Sequence, residues 1–457
     1  MVRIFGALTL SLVAASAAPA QVVGWRTDGT GKYPSATPVT EWSPTKNVVW
    51  KTKMPSWSNS TPVLVGDRIF VCSEPATLVC LRASNGRILW QKSNIYDDFL
   101  TPAEKARAKE DARKARLITA KMQPIQKKLR TAQRALRKNR QDPALRKQVA
   151  DLRGKLAALQ KELVPVSKYK RPPTQKSCGY SSCTPVSDGK NVWVLFGNGV
   201  AACYDLDGTR KWIRWIEKPL NRSNWGHSAG PALADGKVLV HLFDLVALDK
   251  DTGKELWRVK TPAPWGTPVT AQVGKMTVVI TPNGWIGRAS DGKPLAKNVS
   301  RLTYGSPIVH DGVAYFIQSG GRAVQLSPGE NETVSVKSLW TTRPKNDRYY
   351  ASPVLHEGLL YAIDQKTHFS VIDAKNGKVV YEKRLNFGRG GQTYPSVAFA
   401  GGYIFLSRQC GATVVMKPGR KPEPIAENKL EMFRSSPVFA GKRMYIRTLQ
   451  HLYCIGK

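Results

Sequence analysis

Ala247-Leu248-Asp249-Lys250-Asp251-Thr252-Gly253-Lys254-Glu255-Leu256-Trp257 is the stretch that decides the fold. An apolar run leads into a cluster of turn formers ending in Gly, and a second run closes on an aromatic. That order describes two antiparallel strands joined by a tight turn. Leu81 through Trp90 and Tyr204 through Trp212 are weaker copies. The spacing from Gly to aromatic is kept in Gly86 to Trp90, Gly208 to Trp212, Gly253 to Trp257 and Gly377 to Tyr381. The Gly supplies the turn, and the aromatic is predicted to cover the gap to the next unit.

Working outward, each copy belongs to a longer repeat. A small residue, any residue, Pro and an apolar run recur eight times, anchored at Pro62, Pro185, Pro231, Pro268, Pro307, Pro353, Pro395 and Pro437. Two positions earlier stand Ser60, Cys183, Ala229, Gly266, Gly305, Ala351, Thr393 and Ser435. A Gly turn follows each Pro, and a β-branched or aromatic run follows each Gly. Successive prolines are 123, 46, 37, 39, 46, 42 and 42 residues apart. Periods near 40 with several strands each mean propeller blades. The eighth repeat stops at Lys457 before a closing strand, and Val48-Val49-Trp50-Lys51 supplies the missing piece at the other end. The N-terminal strand is therefore expected to complete the last blade and remove a free sheet edge.

The docking stretch and its copies resemble the repeat of pyrroloquinoline-quinone (PQQ)-like propellers, and the chain is similar to the BamB-like branch of that family. The resemblance covers roughly residues 48–97 and 174–457. It implies an all-β, eight-bladed β-propeller, and the family includes both enzymes and non-enzymatic scaffolds.

The first spacing is about 75 residues too long. Residues 98–173 are expected to form an inserted antiparallel helical hairpin of coiled-coil character. Thr101-Pro102-Ala103-Glu104 and Asp142-Pro143 are helix starts. Ile118, Met122, Ile125, Leu129, Ala132 and Leu136 form one seam; Leu145, Val149, Leu152, Leu156, Leu159 and Leu163 form the other. Pro124 falls inside the first. Residues 98–176 hold 23 Lys or Arg against seven Asp or Glu, a net of +16 within a chain whose formal charge is +37. Such an arm suits an acidic protein surface, anionic headgroups or another polyanion.

Arg3, an apolar run from Ile4 to Ala18, and Ala18-Pro19-Ala20 describe a secretory signal peptide cleaved after Ala20. No Cys sits near that junction, which argues against a lipid anchor. The predicted organisation is a signal peptide (1–20), an N-terminal extension (21–47) and the propeller (48–457) carrying the hairpin (98–173). An exported protein of the periplasm or cell envelope follows, with no transmembrane span. The export signal and the lack of a nucleic-acid motif argue against specific nucleic-acid binding, whatever the charge.

The segments before the prolines should converge at one end of the central channel. Across the five residues ahead of each Pro there is no Asp or Glu, whereas a calcium-bound quinone needs carboxylate ligands. No two Cys are adjacent, His residues lack metal-ligand spacing, and no catalytic site or metal site is assigned. Cys80, Cys203 and Cys454 hold equivalent places and read as small buried residues. Cys178 and Cys183 are near enough in sequence for a disulfide. The funnel instead offers aromatics and cations: Trp57, Tyr180, Trp225, His227 and Trp265, then Tyr304, Arg348, Tyr350, Arg389 and Arg434. These types favour partner hot spots and anionic ligands. The reading is a non-catalytic scaffold holding envelope proteins and needing no cofactor, with outer-membrane protein assembly the function the resemblance implies. The rivals are a PQQ- and calcium-dependent oxidoreductase and a binder of anionic polysaccharide.

Overall fold

A computed structural model describes residues 23–220, 224–345 and 348–457; the signal peptide expected at 1–20 lies outside them. Among these residues the strands form eight sheets, seven of four strands and one of five. The eight-bladed propeller with an inserted helical hairpin, expected from the repeat, is the fold observed. Blade 1 consists of Val63–Val65, Arg68–Ser73, Thr77–Arg82 and Ile88–Ser93. Blades 2 to 7 occupy residues 186–215, 232–259, 269–296, 308–342, 354–384 and 398–429. Blade 8 combines Val438–Ala440, Arg443–Arg447 and His451–Ile455 with the N-terminal strand Val48–Lys53, in register from Val48↔Ile455 to Lys53↔His451.

Blades stack face to face, so their inner strands are covered on both sides and read as continuous apolar runs. Arg68–Ser73 is buried from Ile69 onward, whereas Val48–Lys53, at the outer edge, alternates in exposure. The core is accordingly a set of layers between blades. One brings Tyr361, Phe369 and Val371 of blade 6 against Ile404, Leu406 and Met416 of blade 7.

All eight blades carry a register shift between their third and fourth strands. The bulge re-aims the outer strand, and in five blades a Trp there lands on the Gly turn of the next blade. Trp257 Nε1 donates to Ala289 O at 3.1 Å, and a Cβ on Gly292 would sit 2.7 Å from its ring. Trp50 covers Gly86, Trp90 covers Gly208, Trp212 covers Gly253 and Trp340 covers Gly377 in the same way. Each glycine has positive φ, so the turn and the seat for the indole are one requirement. Tyr381 departs from the pattern and packs edge-on against Phe369 of its own blade. Cys80, Cys203 and Cys454 pair directly with Trp90, Trp212 and Trp50, where a small buried side chain leaves room for the indole.

The insertion folds as helices α1, Pro102–Lys138, and α2, Pro143–Leu163. Thr101 and Glu104 close a reciprocal cap: Thr101 N donates to Glu104 Oε2 at 2.8 Å and Glu104 N donates to Thr101 Oγ1 at 3.2 Å. Asp142 caps α2 through Leu145 N at 3.0 Å. Ala132, Val149 and Leu152 form the buried centre of the seam, and Pro124 lies within an uninterrupted α1. The foot of the hairpin is fixed by Tyr96, whose hydroxyl donates to Asn198 O at 2.6 Å within a cluster that includes Leu100, Tyr169 and Trp215.

Candidate functional site

The segment entering each blade from the funnel side delivers two residues to the axis, one tier apart. The lower tier is the residue ahead of each inner strand: Thr61, Thr184, Gly230 and Thr267, then Ser306, Ser352, Ser396 and Ser436. Backbone N–H groups pass from blade to blade onto these hydroxyls. Ser352 N donates to Ser396 Oγ at 3.1 Å, Ser396 N to Ser436 Oγ at 3.0 Å, and Ser436 N to Thr61 Oγ1 at 3.1 Å. Ser306 N donates to Ser352 Oγ at 2.9 Å, and Gly230 N to Thr267 Oγ1 at 2.9 Å. Gly230 breaks the hydroxyl series for a steric reason, since a Cβ there would lie 2.7 Å from Thr184 O.

This ladder corrects one anchor of the repeat. In seven blades a Pro follows the tier residue, but in blade 7 the tier residue is Ser396 and Pro395 precedes it. The Thr393-Tyr394-Pro395 alignment is therefore displaced by two positions, because a similar tripeptide stands just upstream of the true one. The shift puts Tyr394 into the upper tier.

That tier lies two residues before the lower one. Its aromatic half is continuous: Trp265 stacks on Tyr304 at 5.3 Å, Tyr304 meets Tyr350 edge-on at 4.8 Å, and Tyr350 stacks on Tyr394 at 5.0 Å. Arg434 follows, with its guanidinium 5.8 Å from the Tyr394 ring centre. Its polar half is Asn59, Ser182 and Ser228. Arg434 Nη1 donates to Asn59 Oδ1 at 3.2 Å and Ser177 O at 3.0 Å. With its amide oxygen turned inward, Gln409 accepts from Arg434 Nε at 3.1 Å and Nη2 at 2.7 Å. Burial lowers the Arg434 pKa from its ordinary value. Together the tiers enclose a cavity of about 410 Å³ that no Asp or Glu lines among the described residues.

Of the residues singled out from sequence, Trp225, Trp265, Tyr304, Arg348, Tyr350 and Arg434 line this cavity. Four do not. Trp57 packs over Gly179, where a Cβ would be 2.7 Å from its ring. The Tyr180 hydroxyl donates to Pro172 O at 2.7 Å. His227 is buried beneath the surface, and burial drives its pKa down to about 3. Arg389 is exposed on a loop and does not line the cavity. Cys178 and Cys183 are free thiols, not a disulfide. Cys183 turns into the core of blade 2 beside Val186 and Trp193, whereas Cys178 lines the cavity and donates to His227 O at 3.5 Å. Sequence reasoning missed Asn59, Tyr394 and the hydroxyl tier. Counting back from the Ser or Thr, rather than from the Pro, would have found them.

It also missed the floor. Val23 bridges Ser187 of blade 2, and Lys32–Tyr33 pairs in parallel with blade 7. The chain between them crosses the channel, and Trp25 reaches the cavity. Arg26 is 1% exposed and donates through Nη2 to Val397 O at 2.7 Å. A Cβ on Gly31 would lie 2.0 Å from that nitrogen, which explains the glycine.

Carboxylates near the funnel are committed elsewhere. Glu74 Oε1 accepts from Tyr180 N and Ser181 N, each at 2.7 Å, and burial pushes its pKa up to about 7. Glu431 is held low, to about 2, chiefly by its bonds from Lys51, His451 and Tyr453 against the opposing effect of burial. A raised carboxyl pKa makes folding more favourable when protonated, so the Glu74 contribution is present below its unfolded value and lost as pH rises through about 7. His227 and His241, lowered to about 3 and 4, oppose this: their contribution is present above about 6.5 and lost on acidification. Glu74→Gln is expected to raise the melting temperature at pH 8, leave it unchanged near pH 4, and unmask the histidine slope between. A melting series showing the same pH profile as wild type would refute the assignment.

The fold implies PQQ with calcium as a cofactor to be tested. Among the described residues, the cavity offers calcium hydroxyls and an Asn oxygen already bound to Arg434, with Arg348 and Arg434 beside them. Calcium requires several hard, mostly anionic oxygens, and these residues do not fit it. Among the described residues no group of three or more His, Cys, Asp or Glu is placed to hold a metal ion. No helix among them is long and apolar enough to cross a membrane.

No curated protein matches this sequence. Among solved structures, BamB from Moraxella catarrhalis is 11% identical with a TM-score of 0.54, covering 90% of this chain and 97% of its own. A europium-containing methanol dehydrogenase is 12% identical, with a TM-score of 0.55 and coverage of 95% and 98%. A quinohemoprotein alcohol dehydrogenase from Comamonas testosteroni is 11% identical, with a TM-score of 0.54 and coverage of 97% and 81%. At these identities the likeness is one of fold, shared by an assembly factor and by dehydrogenases. The sequence itself matches the family described as outer membrane protein assembly factor BamB over residues 37–104 and 197–456, most of the propeller. With its docking tryptophans, eight blades and strand-closed ring, the chain belongs to that BamB family of PQQ-like propellers.

Proposed function

We propose that this protein is a non-catalytic scaffold of the cell envelope whose funnel holds part of a partner protein, with outer-membrane protein assembly as its setting. The observation that carries the reading is the make-up of the cavity. Aromatics, hydroxyls and two arginines line it, and among the described residues no carboxylate does. Such a surface can bind and orient, but its described lining residues include no carboxylate or imidazole to act as a general base near neutral pH. Family membership supports the setting. The basic hairpin, rooted beside the funnel, would add a docking arm for an acidic surface.

Two measurements on the full chain test this. A photo-crosslinking residue at Tyr350, inside the cavity, should capture a defined partner in cells, whereas one at Leu256, exposed on an outer strand, should not. Equal labelling at both positions would remove the funnel from the reading. Mixed with PQQ and calcium, the protein should give no bound-quinone spectrum and no dye reduction with alcohols or sugars. A spectrum with turnover would make it an oxidoreductase instead.

A further inference from the structure

We propose that the hydroxyl tier is an anion site on the propeller axis, built to take the carboxylate of a ligand entering the funnel. This deepens the reading of the funnel as a binding face and names the chemistry it recognises.

Six tier oxygens, on Thr61, Thr184, Thr267, Ser352, Ser396 and Ser436, each accept an N–H from the neighbouring blade. Among the described residues, none of the six has a protein acceptor for its own O–H. Each oxygen is thus occupied as an acceptor while its proton stays available, and accepting a bond strengthens a hydroxyl as a donor. Hydroxyls from neighbouring blades, converging at an axis, make a ring of donors.

Charge points the same way. Beneath the ring, Arg26 is bonded to the carbonyl of Val397, the residue directly after Ser396. Its Nη1 is buried without a partner, and no ion pair to Arg26 forms among the described residues. Asp28, the carboxylate that acts on it, is exposed and bonded to Thr30, and a buried guanidinium without a direct ion pair is costly. Arg434 stands two residues above the ring, and among the described residues no carboxylate lines the cavity. Water would satisfy the hydroxyls but not the charge. The aromatic arc from Trp265 to Tyr394 gives the ligand's apolar body a wall to stack on.

Benzoate is the probe and benzamide its neutral control, titrated at constant ionic strength into the full-length protein and followed by tryptophan fluorescence. Benzoate should bind saturably and benzamide at least about tenfold more weakly. Thr267→Val keeps the shape and removes one O–H together with the acceptor of Gly230 N, so its melting temperature is measured beside its affinity, and Arg26→Met removes the charge; each should weaken benzoate about tenfold. Should Arg26→Met fail to fold, Thr267→Val decides alone. Equal binding of benzoate and benzamide, or unchanged affinity in Thr267→Val, overturns the proposal. A short peptide with a free C-terminal carboxylate, set against its C-terminal amide, then separates a peptide source from a small-molecule one. Capture at Tyr350 without benzoate selectivity would leave the funnel reading standing and remove only the anion site.

Discussion

Trp340→Ala is expected to lower the free energy of unfolding by about 3–5 kcal/mol, the range for removing a large buried aromatic. Trp340 is 8% exposed, donates through Nε1 to Ala374 O at 2.8 Å, and lies over Gly377. Alanine would leave a void between blades 5 and 6 and an unpaired carbonyl, so the loss of packing and of a hydrogen bond fall together. Trp225→Ala supplies the contrast. That indole is 39% exposed at the cavity mouth, and its removal should stay within about 0.5 kcal/mol. Urea denaturation of both variants checks the pair. Similar midpoints for the two would mean that the docking tryptophans do not cement the blades.

A larger effect is expected when the chain is shortened to begin at Met54. This removes Val48–Lys53 and leaves blade 8 with three strands and a bare edge, and it takes away the channel-crossing segment and its pairing with blades 2 and 7. It also removes Trp50, whose Nε1 donates to Ala83 O at 3.0 Å, and Thr52, whose hydroxyl donates to Gly86 O at 2.7 Å. Those bonds tie the end of the ring to its beginning, so their loss opens the closure itself. The shortened chain should lose its single cooperative transition and associate through the exposed edge. A synthetic peptide spanning residues 42–53, added in trans, should restore a monomeric species on gel filtration. Cooperative unfolding of the shortened chain at the full-length midpoint would show that closure does not hold the ring.

The blades were legible because a propeller repeats its local chemistry. The Gly four residues ahead of Trp90, Trp212 and Trp257 marks a turn that a side chain cannot enter, and that constraint is written in eleven consecutive residues at 247–257. The hairpin was legible for a similar reason: its caps and its heptad seam act within a few turns of helix. The funnel was legible only in part. Trp265, Tyr304 and Tyr350 fall at a fixed offset from the anchor, whereas Tyr394 was displaced by the decoy Pro395 and Asn59 passed as an ordinary loop residue. Trp57 and His227 have the right composition and nearby positions, yet they point into packing, which only the path of the backbone decides.

The sequence by itself determined the eight-fold repeat, the strand borrowed from the N-terminus and the absence of acids at the converging segments, since these rest on residue type and short-range spacing. Only the folded chain brings residues 23–33 across the channel, buries Arg26 with Nη1 unpartnered, and links six tier hydroxyls to backbone N–H groups of neighbouring blades. The reason is distance along the chain. Arg26 meets Val397 across 371 residues, and no local pattern encodes a contact that exists only once the ring has closed.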